Sequence, residues 1–413
     1  MEKYIQKLIL IFFPFYPIWG MVFYFFTHQK IDSFINFLWV PIVLYYLLTK
    51  NNKLPKYLLF LIIFTLYHLA SIYLNNLVTA NSNFFFTVLF DSNVLACAIF
   101  FIIENTEFDE NFISIMNRNI LIVVIISLVV SLIQVKNPSF FVSPELTDNE
   151  ENLVYLDQGR AFSIYSWINI NSLGITFPIL ISILLNVFEI KKKSFSIVVF
   201  SGLIVSFLTK ARYVMISAII VFSQLFLSAK ITLRNKVISV FVIGASIVLL
   251  LTVAESSGFS IQQVIDERIM EKEGEMGSAN ARITSYYVFL MKFPENPWFG
   301  VGPATREDVV ELLGGEAPLI HIGYLSYLYF YGSIGFLILL VSTFYLLKEA
   351  FLIGRRYLFW GSFYGLIAYY IANTTTVYFN FSEMGIILAV LYLKYYKDRS
   401  DLELTENEAL LIT

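Results

Sequence analysis

Charge is scarce in this chain. Asp, Glu, Lys and Arg make up 14% of the residues, against roughly a quarter in a water-soluble domain, so the polar surface a soluble fold needs is missing and a bilayer is the solvent to assume. Cysteine is scarcer still: Cys97 stands alone in an apolar run, which excludes an intrachain disulfide or a thiolate metal site and leaves a small buried hydrophobe as its reading. Basic excess is also lacking. The net charge is -3 and the Lys and Arg residues fall in short clusters between apolar runs, a pattern with no field for nucleic acid. The short alternating strands of a transmembrane barrel are not seen either.

What is present is apolar: 58% of the residues are hydrophobic, and the mean hydropathy is +0.71. In hydrocarbon every backbone amide needs a partner within the chain, so repeated apolar runs of roughly twenty residues must be helices. The expected fold is an all-α polytopic membrane protein with about twelve transmembrane helices. The spans fall near Leu8 to Phe26, Phe34 to Leu48, Tyr57 to Leu74, Phe84 to Ile103, Ile120 to Val135 and Ile168 to Glu189. Six more run near Phe195 to Thr209, Tyr213 to Ser228, Val237 to Ala254, Gly323 to Leu347, Tyr357 to Val377 and Glu383 to Tyr396. Pro14 and Pro17 interrupt the first run and no small-residue cleavage site follows, so it reads as a retained span rather than a signal peptide.

Placing both termini in the cytoplasm puts eighteen of the twenty-eight Lys and Arg residues on that side, among them Lys53, Lys191 to Lys193, Arg355, Arg356 and Lys397. The chain then divides into helices 1–254, a large outer loop 255–320, helices 321–397 and a cytoplasmic tail 398–413, expected to be disordered. A smaller outer loop runs from Lys136 to Trp167. Long ordered loops commonly hold function.

In the large loop Ser260 to Met270 reads as a solvated helix, and after the breaker run Gly274 to Ser278 comes a second one, Asn280 to Phe293. It places Ile283, Tyr286, Tyr287, Leu290 and Phe293 on one face, as in a helix along a membrane surface. Arg282 falls in its first turn, where free amides and the helix dipole already favour an anion such as a lipid diphosphate; the plainer reading is an Arg bound to lipid headgroups. The turn Pro297-Trp298-Phe299-Gly300-Val301-Gly302-Pro303 has glycines that permit close backbone approach to a partner, or it is simply structural. His321 ends the loop, followed by Tyr324, Tyr327, Tyr329 and Tyr331. A helix N-terminus favours the neutral imidazole, which can act as a general base; a headgroup contact is the alternative.

Arg160, in the smaller loop, lies just ahead of Asn171 and Gly174. Lys210 and Arg212 occupy a tight outer turn where the positive-inside bias disfavours cations, which points to a bound anion or to simple snorkelling. His68 and Asp91 each lie some six or seven residues inside the outer end of a span, roughly 10 Å deep at 1.5 Å per residue. They could face each other as an ordinary polar pair or as a proton relay.

Arg282, Pro294, Pro297, Phe299-Gly300-Val301-Gly302, His321, Tyr324-Leu325 and Tyr331-Gly332-Ser333-Ile334-Gly335-Phe336 follow an Arg, Pro-x-x-Gly-x-Gly, His, Tyr-Leu, Gly-x-x-Gly order. In this the chain resembles the O-antigen ligase and polymerase (Wzy-type) family of bacterial envelope glycosyltransferases. Gly159-Arg160 with Asn171 and Gly174, and the Arg212 turn, add two shorter pieces, and Ile322 stands where the family often has Asn. The resemblance implies a GT-C-like fold in the inner membrane and a metal-independent, inverting transfer of glycan from undecaprenyl diphosphate to a sugar hydroxyl, with no cofactor. It also implies roles: Arg160, Arg212 and Arg282 would receive the departing diphosphate with Lys210 as helper, His321 would be the base, and Tyr324 would bind substrate. The partners implied are an undecaprenyl-diphosphate-linked oligosaccharide, membrane lipids and a chain-length regulator protein.

The segments Gly277 to Arg282 and Glu295 to Pro303 look more like capsular and exopolysaccharide polymerases than ligases that load a lipid A core. A lipid-linked oligosaccharide flippase or secondary transporter is the rival of another class. Such folds show paired repeats and ionisable groups near the midplane, whereas the unexplained cations here sit at the outer surface.

Overall fold

A computed structural model describes residues 2–28, 32–49, 52–74, 88, 91–147, 159–167, 172–188, 192–227, 278–302, 320, 322–374 and 380–412. Among these residues the chain is helical, with no strand. The span expected at Val237 to Ala254 and the helix expected at Ser260 to Met270 lie outside the described residues.

The first expected span is two helices. α1 (Glu2–Phe12) and α2 (Tyr16–Thr27) meet at 84°, because Pro14 and Pro17 have no amide to donate across the joint. α3 (Asp32–Thr49) and α4 (Lys56–Leu74) follow. α5 (Ser92–Asn105) starts later than the run from Phe84 suggested: Asp91 is its N-cap, and the carboxylate accepts the Asn93 and Val94 amides. α6 (Glu110–Lys136) starts ten residues earlier than Ile120, since Asp109 caps it through the Phe112 amide.

α7 (Ser172–Val187) is the centre of the bundle, buried without interruption from Ser172 to Leu185. It packs against α6, α8 (Lys193–Leu208), α9 (Arg212–Leu227), α12 (Gly361–Ala372) and α13 (Met384–Ile412). A helix enclosed on all sides has no polar face to show, hence the apolar sequence all round. Gly361 and Gly365, one turn apart on α12, let the backbones close up. A Cβ at Gly361 would stand 2.8 Å from the Ile183 Cα, and one at Gly365 3.2 Å from that of Ile179. Small residues at this spacing are a common means of membrane helix packing.

α10 (Ser278–Lys292) precedes α11 (Gly323–Tyr357), which lies along α4. α11 runs ten residues beyond Leu347 and contains one non-helical residue, Gly332. α13 continues through Ile412, so the expected disordered tail is helical instead. Its polar part is tethered: Lys394 pairs with Asp398, which lies 3.8 Å from Lys53, and Arg399 lies 3.1 Å from Glu110.

Three helices, α4, α6 and α11, are each long and apolar enough to cross a membrane, and α1 with α2 makes a fourth, bent candidate. Shorter apolar helices, α5 and α7 to α9 among them, fill out the bundle. The chain is accordingly a multi-pass membrane protein. The charged pairs above gather the ends of α4, α6 and α13 at one end of the bundle; the starts of α7, α9, α11 and α13 lie at the other, where the candidate site is found.

Candidate functional site

Two segments remote in sequence, each carrying a cation, meet at this second end. Gly159, at φ +61°, lies so close to Lys210 that an added Cβ would stand 3.2 Å from its Nζ. The neighbouring Ala161 amide donates to the Leu208 carbonyl at 3.1 Å, pinning the Gly159-Arg160-Ala161 strip onto the turn between α8 and α9. Arg160 is half-buried there. Lys210 has the left-handed φ of +50°, uncommon for a residue with a side chain. Arg212 is the first residue of α9; its side chain lies outside the described residues.

Downstream of Arg160, Tyr165 and Ser166 are buried in a 3-10 turn. Burial raises the Tyr165 phenol above its ordinary range, so it stays protonated. The start of α7 closes the other side, with Gly174 directly under the Tyr213 ring of α9. Here Glu383, 4% exposed just ahead of α13, accepts hydrogen bonds from Ser172 at 3.1 Å and Thr176 at 3.4 Å. A carboxylate at the first turn of α7 complements that helix's dipole. In the sequence Glu383 reads as the start of a span, although a lone acid there is a signal of its own.

α10 carries Arg282 as its fifth residue, not in the first turn: the helix starts at Ser278, two residues before Asn280. The free amides of a first turn belong to its first four residues, so Arg282 lies one position beyond them; its side chain lies outside the described residues. Four residues of the expected apolar face are exposed, with Ile283 at 54% and Tyr287 at 60%, as suits a membrane surface, while Phe293 packs on the buried side. A different row, Ser285, Val288 and Phe289, is buried, and the two apolar residues pack with Ile320 and Tyr329 against α11. α10 is therefore anchored on one side and presents aromatic surface on the other.

His321 lies outside the described residues. The chain on either side of it is anchored: Ile320 is 1% exposed and its carbonyl accepts the Ser326 hydroxyl at 2.6 Å, while Ile322 is the N-cap of α11. Tyr324, half-buried, donates its hydroxyl to the Tyr370 carbonyl at the end of α12, at 2.6 Å. α12 also receives Ser217 of α9 on its Ala368 carbonyl, so it stands between the cation turn and the start of α11.

The partner of the glycine turn is the break in α11. Gly300 (φ +72°) and Gly332 (φ +62°) pack backbone to backbone: a Cβ on either would lie 2.3 Å from a carbonyl oxygen, of Phe330 and of Trp298 respectively. Val301 and Gly302 amides donate to the Tyr329 and Phe330 carbonyls, and Ser333 and Ile334 amides donate to the Pro297 and Trp298 carbonyls. The four backbone groups freed by breaking the helix are thus satisfied by the turn. His68 and Asp91 do face each other, Nε2 to Oδ2 at 2.6 Å, and the other imidazole nitrogen meets the Tyr331 hydroxyl at 2.8 Å. Asp91 is not buried mid-span as expected but is the cap of α5.

No curated protein matches the chain. A family model does, over residues from α8 to the first half of α11, a stretch that includes Lys210, Arg212, Arg282, the glycine turn, His321 and the Gly332 break. The family it describes is O-antigen ligase (Wzy_C), matched at residues 196–340, and the chain is in this respect similar to proteins of the O-antigen ligase/polymerase type.

Proposed function

We propose that the chain is a polysaccharide repeat-unit polymerase of the bacterial inner membrane. It would transfer glycan from undecaprenyl diphosphate to a sugar hydroxyl of another lipid-linked repeat unit. In this step the bond from the anomeric carbon to the phosphate oxygen breaks and the diphosphate leaves with its electron pair. The acceptor oxygen forms the new bond from the opposite face and gives its proton to the base, for which His321 is the candidate. The single observation that carries the reading is the docking of the Gly159-Arg160-Ala161 strip on the Lys210 turn beside the start of α9, where Arg212 stands. Fixed cations neutralise a leaving diphosphate, and guanidiniums pair bidentately with its oxygens. Arg282 would complete the set from α10, and Tyr324 would hold substrate at the start of α11.

The polyprenyl tail needs an apolar berth. The elbow between α1 and α2 holds a cavity of about 460 Å³, lined by Leu8, Ile11 and Phe12 on one arm and Trp19, Val22 and Phe26 on the other. α2 in turn touches the 3-10 turn downstream of Arg160 through Tyr24 and Trp167, whose rings lie 5.3 Å apart. In this reading about twelve helices span the membrane in a GT-C-like arrangement with both termini cytoplasmic. The chain divides at 254, 320 and 397, and the loop 255–320 closes over the sugars.

A ligase acting on a lipid A core is the second reading, favoured by the description of the matching family model. Deleting the gene and resolving surface and lipid-linked glycans on a gel separates the two. Single repeat units at the surface mean polymerase; stranded long lipid-linked chains mean ligase; unchanged glycans refute both.

A further inference from the structure

Two consecutive residues of α4 hold the break in α11 in place. The Tyr67 hydroxyl lies 3.0 Å from the Phe299 carbonyl oxygen, in the glycine turn, and 2.9 Å from that of Tyr331, beside the break. One hydrogen serves both acceptors and ties them together. Its ring lies over Gly335, where an added Cβ would come within 2.4 Å of it. The next residue, His68, is 5% exposed and bridges Asp91 to the Tyr331 hydroxyl. In the neutral tautomer that donates from Nε2 to Asp91, Nδ1 accepts from Tyr331. Both Asp91 oxygens are used, since the other takes two amides of α5.

We propose that Tyr67 and His68 are positioning residues for glycan transfer: by fixing the break at Gly332 against the turn at Gly300, they set α10, which carries Arg282, against the start of α11, which follows His321. The proposal rests on the transferase reading for its reaction but not for its geometry. Arg282 lies eleven residues before Phe293, where α10 gives way to the turn, so the lever is about 16 Å at the rise of an α-helix. A tilt of only about 4° at the turn then moves Arg282 by about 1 Å, a misplacement that can cost on the order of a hundredfold in rate. Neither residue needs to touch substrate for this.

The test uses the full chain purified in nanodiscs with a lipid-linked repeat unit as substrate. Tyr67→Phe removes one hydroxyl from a partly exposed ring, and His68→Leu removes the bridge. Each should lower kcat about tenfold to a hundredfold with KM for the donor within about threefold, and His68→Gln, which keeps a donor and an acceptor, should recover part of the loss. In a Cys97→Ser background, nitroxides on Tyr287→Cys and Leu337→Cys, both exposed positions, should give one narrow distance in the parent and a broadened or displaced one in Tyr67→Phe. An unchanged distance, or a loss of thermal stability with kcat intact, overturns the proposal. A parent that transfers no glycan to any acceptor overturns the transferase reading instead, and the distance pair then decides the clamp by itself.

Discussion

At the scale of single residues, the cations are distinguished by where they are rather than by their number. Lys210 takes a left-handed backbone conformation, and Gly159 leaves room for its ammonium. A left-handed non-glycine residue costs on the order of 1 kcal/mol or more, so the turn spends stability to aim that side chain at the Arg160 strip. Arg160→Ala should lower kcat/KM for glycan extension by about a hundredfold or more. Arg160→Lys should recover little, because a point charge does not reproduce a planar fork; extension of a labelled lipid-linked acceptor by the purified chain measures both. Equal recovery by Lys would show that charge alone matters. Lys210 and Arg212 stand out in the sequence because they break the expected topological bias, and a broken bias needs no partner to be seen. Tyr67 does not, since its meaning lies in a contact with Phe299, more than two hundred positions away, and Glu383 shows there as a lone acid without its partner Ser172.

Helices raise a different question, namely what each apolar face meets. Hydrophobic periodicity finds α10 and its row at Ile283, Tyr286 and Tyr287, which is exposed, but not the second row, Val288 and Phe289, which docks on α11. In a bilayer both lipid and protein core select apolar side chains, so periodicity alone does not tell them apart. Likewise the Gly-x-x-Gly pattern was visible, but the break at Gly332 was not, because its four freed backbone groups are satisfied by a turn some thirty residues upstream. Gly332→Ala should therefore destabilise the chain by about 1–3 kcal/mol for the backbone conformation alone, before the contact with Trp298 is relieved. Thermal unfolding in detergent reads this, and a change within error would mean that the interlock is loose. The Gly361-x-x-x-Gly365 pattern was also there to be read. Gly365→Leu, which forces a branched side chain against Ile179 on the buried α7, should lower the unfolding temperature and leave little folded protein after extraction; unchanged yield would place that face in lipid.

For the molecule as a whole, the question is which end of the bundle faces the outer side of the membrane. Ion pairs join Lys53 to Asp398, Arg399 to Glu110 and Lys397 to Glu349. Exposed pairs of this kind contribute at most about 1 kcal/mol each, so they matter less as glue than as a record of which chain ends lie together. Basic residues favour the cytoplasmic side, and these pairs hold three of them. The opposite end carries the Arg160 and Lys210 turn, the start of α11 and the exposed rings of Trp298 and Phe299, each 65% accessible. Aromatic side chains in such positions suit a membrane interface. An orientation with the ion pairs inside therefore exposes the cations to the face where lipid-linked glycans would be joined. In a Cys97→Ser background, a cysteine in place of Trp298 should react with a membrane-impermeant maleimide in intact spheroplasts, and one in place of Glu110, whose side chain is 77% exposed, should react only after the membrane is opened. The reverse pattern would put the candidate site in the cytoplasm, where the basic bias and the cations would have to be explained in another way, and glycan transfer on the outer face would be ruled out.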